Sequence, residues 1–407
     1  MRIPLAFLVI AILGMSPAVA DDTSDCFSPS PERTLKGCTN IINKKASPNP
    51  LRVKALNRRG QQHLNTNAFD SALADFNRAI QIEPQGSQAH HNRGRAYAKM
   101  RKFDFAIENF SRAIELEPKS LYFHSRGTAY FSMQRLEDAI VDFSTSIDLD
   151  PKSQFGYFSR GLVQGIRGNH QVAIKDMTET INRDPRYQAA YLYRATYRLA
   201  TGDNVGALAD IKEAVRLDPA DTDARFHQGR INTSLGRHQD AIADYTRVIQ
   251  MKASSPGAYL NRGILYMRYR DFAKARSDME RSISLEATGV AHYNKGLLLA
   301  LLGENTLALI DLDHALRRTP DHPHSLYVRS LVYERLDRHD EAANDRNRAI
   351  ELLPALGTVV GKSDALELIG NLRPPGATVP GVSSPTRPPV PAPTPANRPQ
   401  PKGERRS

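Results

Sequence analysis

The sequence predicts an all-α solenoid of about nine copies of one unit, and three observations lead to it. Small residues recur every 33 or 34 residues, at Gly60, Gly94, Gly127, Gly161, Ala195, Gly229, Gly263, Gly296 and Ser330. An alanine follows each one twelve residues later, from Ala72 and Ala106 through to Ala308 and Ala342. A proline closes most units, at Pro84, Pro118, Pro151, Pro185, Pro219, Pro320 and Pro354. Within one unit Phe103, Ala106, Ile107, Phe110, Ala113 and Ile114 recur at steps of three and four, which lays one apolar stripe along a helix. A single hairpin of this kind buries too little apolar surface to stand alone, so neighbours must stack and share a core. Length alone, 407 residues, would suggest two or three globular domains. No linker or composition shift interrupts the repeats, so they are expected to form one solenoid.

The unit SQAHHNRGRAYAKMRKFDFAIENFSRAIELEPK, punctuated by Gly94, Tyr97, Ala106, Phe110, Ala113 and Pro118, resembles the tetratricopeptide repeat, a 34-residue helix–turn–helix unit. The resemblance covers about Val53 to Leu356, three quarters of the chain. It departs from the family pattern in having no Trp, and in placing Arg59, Arg93, Arg126, Arg160, Arg194, Arg262 and Arg329 in the slot usually held by Leu. The sixth copy lacks its closing Pro in register, and the ninth has Arg346 where an aromatic ring usually packs. The resemblance implies a right-handed superhelical solenoid of tetratricopeptide helix–turn–helix repeats, with first helices lining a concave face. The recurring arginines are expected to pair with acidic residues of neighbouring helices.

Taken in order, residues 1–20 read as a secretory signal, with Arg2, an apolar run Leu5–Gly14 and the small residues Ala18-Val19-Ala20 as the cleavage site. About ten apolar residues are too few to span a bilayer core of about 30 Å, so no transmembrane segment is expected. The mature chain is expected in the periplasm or secreted. Cys26 and Cys38 are the only two cysteines, and in an oxidising compartment a lone close pair reads as a disulfide. Residues 21–52 are therefore read as a disulfide-stapled cap, in which Glu32–Asn43 matches a second helix alone, a half repeat. The nine repeats fill residues 53–356, and residues 357–373 hold a short amphipathic piece, Ser363–Leu372, suited to cap the last repeat. Residues 374–407 have eleven prolines in thirty-four positions and a net charge of +4. Such a segment cannot bury enough surface to offset its ordering entropy and is expected to be disordered. It is a candidate contact for envelope polymers or anionic lipid.

No nucleophile elbow, phosphate loop or paired-His zinc helix is present, so no enzyme activity, cofactor or metal site is expected. Of the twelve histidines, His170, His238 and His339 fall in the slot of Phe69, Phe103 and Phe272 and are expected to pack. The formal charge of +11 raises nucleic acid as a partner in principle. The export signal and the spreading of Arg with the repeat argue against it. Carried over position by position, the family's concave face gives Asn57, Arg58, His91, Asn92, Arg95, Lys99, His124, Phe158, Asn261, Tyr293, Asn294 and Tyr327 as partner-binding residues. They make a groove that is basic at its N-terminal end, aromatic next, and apolar with scattered Asn beyond. The function expected is a non-enzymatic scaffold of the bacterial cell envelope that binds a protein segment in this groove. The alternative is a structural envelope protein that self-associates and uses its tail.

Overall fold

The structure is a computed structural model that describes residues 17–359. The n-region and apolar run of the expected signal, the piece Ser363–Leu372 and the tail lie outside the described residues. Twenty α-helices and one 3-10 helix, Pro354–Val359, make up the described residues, which contain no strand. They divide into two compact units, up to Asp184 and from Pro185. The first holds α1 (Pro17–Cys26), α2 (Pro31–Asn43), α3 (Asn49–Asn65), α4 (Phe69–Ile82), α5 (Ser87–Lys99) and α6 (Phe103–Leu116), then α7 (Ser120–Ser132), α8 (Leu136–Leu149), α9 (Gln154–Ile166) and α10 (His170–Arg183). The second holds α11 (Gln188–Ala200), α12 (Asn204–Leu217), α13 (Thr222–Ser234), α14 (His238–Met251) and α15 (Pro256–Arg268), then α16 (Phe272–Leu285), α17 (Gly289–Leu301), α18 (Asn305–Arg318), α19 (Pro323–Arg335) and α20 (His339–Leu352).

Successive helices pair as antiparallel hairpins, and within each unit each hairpin packs on the next. The small residue of each first helix lets the second helix close in. A Cβ on Gly94 would stand 2.7 Å from the Phe110 ring, and one on Gly60 would stand 2.5 Å from Phe76. Every first helix of the nine repeats ends on a residue with positive φ, at Asn67, Arg101, Gln134, Gly168, Gly202, Gly236, Arg270, Gly303 and Asp337. The amide after it closes back on the helix, as Lys102 N–H does to the Tyr97 carbonyl at 2.9 Å and Asn169 N–H to the Gln164 carbonyl at 2.9 Å.

The slot arginines form a ladder. Arg59, Arg126, Arg160, Arg194, Arg262 and Arg329 each donate two N–H groups to the carboxylate sixteen residues on, at 2.6–3.0 Å. Those carboxylates, Asp75, Asp142, Asp176, Asp210, Asp278 and Asp345, are all buried on the facing second helix. A third N–H reaches the second helix of the preceding hairpin, from Arg126 to Ser111, Arg160 to Ser144, Arg262 to Thr246 and Arg329 to Asp313. Aromatic rings flank the guanidinium, as Tyr259 and Tyr266 do for Arg262, both at 5.7 Å. Each rung thus ties one hairpin shut and fastens it to its neighbour. Asn109 replaces the carboxylate in the second copy and accepts from Arg93 at 2.6 Å.

Two sequence expectations change. The helix matching a half repeat is not solitary, because α1 packs along α2 as a first helix. Cys26 on α1 and Cys38 on α2 form the disulfide, fully buried beside Ile41 and Ile42. His339 does not pack like Phe69: its side chain is 69% exposed, with Nδ1 3.6 Å from Glu334. Arg346, which replaces the aromatic in the ninth copy, donates to Glu334 at 2.9 Å, and Ser330 stands where most copies have glycine.

Candidate partner-binding face

Within each unit successive first helices approach one another more closely than successive second helices do, so the first-helix face is the inner one. Of the residues expected to line it, Asn57, His91, Asn92, Lys99 and His124 join one first helix to the next. Asn92 donates to Asn57 at 2.9 Å, and Asn57 in turn donates to the Val53 carbonyl at 3.1 Å. His91 Nε2 lies 2.9 Å from the Ser125 hydroxyl, and His124 Nε2 lies 2.9 Å from that of Ser159. The His91 ring also packs on Phe110 and Tyr122, and the His124 ring on Phe143. Burial holds His91 down at about 3 and His124 at about 4, so both are neutral at ordinary pH.

In the second unit Asn294 is buried and donates to the Val290 carbonyl at 2.8 Å. Tyr293 is buried with its ring edge-on to His322 at 5.1 Å, and Tyr327 is buried beside it in the same apolar cluster. Asn261 bonds the Tyr245 hydroxyl. Phe158 of the first unit is 3% exposed. Asn57, His91, Asn92, Phe158, Tyr293, Asn294 and Tyr327, expected to meet a partner, are buried in the structure, and of these Asn92 bonds Asn57, and His91 bonds Ser125, across adjacent first helices.

The three cations at the N-terminal end differ from one another. Arg58 turns toward the first hairpin and donates to the Ser28 carbonyl at 3.1 Å. Lys99 donates to the Leu64 carbonyl at 3.0 Å, near the end of the preceding first helix. Arg335 makes the same contact to the Ala300 carbonyl at 2.7 Å in the second unit, so this position serves to cap a helix C-terminus. Arg95 is the exception. Its guanidinium is half-buried and has no hydrogen bond or carboxylate partner among the described residues. Burial pulls it below its ordinary range, and Lys99 and His91 are lowered first by burial and then by the Arg95 charge.

Arg230, which the sequence reading passed over, occupies the same register, one residue after Gly229 as Arg95 follows Gly94. Its Nη1 lies 3.5 Å from His227 Nδ1, and burial lowers both groups, His227 to about 4. The signal that could have found it was the register itself, applied to the sixth copy as to the second. Among the described residues no group of three or more His, Cys, Asp or Glu could hold a metal ion. None of the described helices is long and apolar enough to cross a membrane.

Stacked helical hairpins with an inner first-helix face within each unit define an α-solenoid of the protein-interaction kind. The chain belongs to the tetratricopeptide repeat family, whose models match residues 87–120, 122–153, 159–222, 194–258 and 260–323. The family is one of interaction scaffolds that bind protein or peptide partners. No curated protein matches the chain. Among solved structures it is similar to a tetratricopeptide repeat protein from Parabacteroides merdae, at 16% identity over 61% of this chain and 99% of that one, with a TM-score of 0.50. It is also similar to the APC/C hetero-tetramer Cut9-Hcn1, at 13% identity over 86% of this chain and 83% of that one, with a TM-score of 0.50. At such identities the likeness is one of fold.

Proposed function

We propose that this chain is an exported, non-enzymatic interaction scaffold that takes a carboxylate-bearing segment of a partner protein on the inner face of its first unit. Arg95 carries the reading. A half-buried guanidinium without an acceptor has lost hydration and gained nothing for it, and an incoming carboxylate would satisfy it with paired N–H groups. Lys99 one turn along the same helix and Arg58 on the neighbouring first helix add positive charge around it. Arg230 repeats the arrangement in the second unit. Export is supported by the Cys26–Cys38 disulfide, since such bonds persist in oxidising compartments, and by the sequence of residues 1–20. The envelope of a bacterium is the compartment this combination suits.

The test is fluorescence anisotropy with a labelled peptide of alternating Glu and Ser ending in a free carboxylate. Saturable binding should weaken as salt rises from about 50 to about 300 mM. Arg95→Ala should weaken it at least about tenfold, the loss of one charged hydrogen-bonded contact. Deleting Pro374–Ser407 should leave it unchanged. Equal binding by wild type and Arg95→Ala would place the site elsewhere. Loss of binding on deletion alone would favour the basic tail as the attachment point.

A further inference from the structure

The arginine ladder misses a rung in two copies, the sixth and the eighth, where Gln228 and Lys295 hold the slot. In both, the residue three positions earlier takes over the contact with the second-helix carboxylate. Elsewhere that position is often aromatic, as at Phe123, Tyr157, Tyr191 and Tyr259. In the sixth copy it is Arg225, whose Nη1 lies 3.8 Å from Asp244. In the eighth it is His292, whose Nδ1 lies 2.7 Å from one Asp311 oxygen while Lys295 Nζ lies 3.2 Å from the other. Asp311 is thereby satisfied, but the reach to the preceding hairpin is lost. A lysine is a compact point charge and cannot bridge two helices as a planar guanidinium fork does.

The residue left over is Glu280 on α16. It stands two positions after Asp278, as Ser111, Ser144, Thr246 and Asp313 stand two after the preceding rung's Asn109, Asp142, Asp244 and Asp311. Those four accept the third guanidinium N–H. Glu280 has no hydrogen bond or ion pair among the described residues, and it faces a cavity of 290 Å³ shared with Asp311, His292, His314, Leu307 and Ile310. The two cations on the cavity wall are already closed, Lys295 by Asp311 and Arg276 by Glu304. The charge without a partner at this cavity is a carboxylate. Beside it His314 stacks on His292 at 4.8 Å, and Leu307 and Ile310, 49% and 51% exposed, form an apolar rim.

We propose that this cavity receives an arginine side chain from a partner polypeptide. Its guanidinium pairs with Glu280, its methylene stem lies along Leu307 and Ile310, and it supplies in trans the contact to the preceding hairpin's second helix that other copies make from their own first helix. The fork geometry and the ring beside it select guanidinium over an ammonium group. The site lies in the second unit and does not depend on the Arg95 reading.

The test uses saturation-transfer NMR on the full chain with N-acetyl-arginine amide, and with its uncharged isostere N-acetyl-citrulline amide, as probes. Transfer to the arginine methylenes is expected, and to citrulline about fivefold less or lower. Glu280→Gln, an exposed polar swap, should abolish the arginine signal with unchanged circular dichroism. Lys295→Arg should also abolish it, by filling the cavity with the chain's own guanidinium, and should raise the melting temperature. Arg95→Ala should leave the signal intact. The proposal is overturned by no transfer in the wild type, by equal transfer to citrulline, by a signal that survives Glu280→Gln or Lys295→Arg, or by its loss in Arg95→Ala.

Discussion

Asp142 is a buried carboxylate on α8 whose two oxygens both accept from Arg126, at 2.9 and 2.8 Å. The same hydrogen bonds hold the Arg126 guanidinium above its ordinary range, against the opposing effect of burial. Removing one partner from a buried pair is costlier than removing both, because it strands a charge away from water. Arg126→Met should therefore destabilise the first unit by about 3 kcal/mol. Arg126→Met with Asp142→Leu should cost clearly less than the two single changes summed, and a denaturant double-mutant cycle reads the coupling. Additive losses would mean that the rung contributes packing only. Arg95 offers the contrast, since it has no buried carboxylate to strand and Arg95→Ala should leave the melting temperature nearly unchanged.

Between helices, the contact that sets hairpin closeness pairs the small residue with the side chain sixteen positions on. Gly94 meets Phe110, Gly127 meets Phe143, and Gly229 meets Tyr245, each leaving less than 3.0 Å for a Cβ. In the fifth copy Ala195 stands opposite Ile211, so a slimmer partner accommodates the extra methyl group. Gly94→Ala should cost about 1–3 kcal/mol through overpacking against Phe110. Gly94→Ala with Phe110→Ile should recover a substantial part of that loss, because it reproduces the fifth copy. Urea denaturation of the two variants decides it, and no recovery would show that backbone approach rather than the ring sets the spacing. This level of the fold was legible in sequence because spacing along one helix is written in the order of residues. The inner face was less so. Asn57, His91 and His124 stand on first helices, but their bonds run to the next repeat, Asn57 to Asn92, His91 to Ser125 and His124 to Ser159. A polar residue on a binding face and a polar residue bonded to its neighbour copy look alike when one repeat is read at a time.

Across the whole molecule buried neutral histidines are a shared feature of both units. His91 and His124 in the first unit are held at about 3 and about 4, and His227 and His324 in the second at about 4, with burial the leading cause in each. In the unfolded chain these rings titrate near their ordinary value of about 6.5. Between about 6.5 and about 4 the unfolded state therefore binds protons that the folded state refuses, and stability falls as pH falls through that window. Each such histidine contributes a slope of about 1.4 kcal/mol per pH unit within it. Asp244, raised mainly by burial, acts in the opposite direction, because its folded form accepts a proton more readily than the unfolded one. The melting temperature should accordingly be steady above about pH 7 and decline steeply toward pH 4.5. The fourth and sixth copies carry Phe158 and Phe226 at the position of His91 and His124. His91→Phe with His124→Phe should therefore be tolerated, and should flatten the decline in the first unit's amide-exchange protection while leaving that of the second unit as it was. A first unit that loses protection with acid as steeply as before would show that the two rings are protonated inside the fold, and that the carboxylates of the ladder set its response to acid.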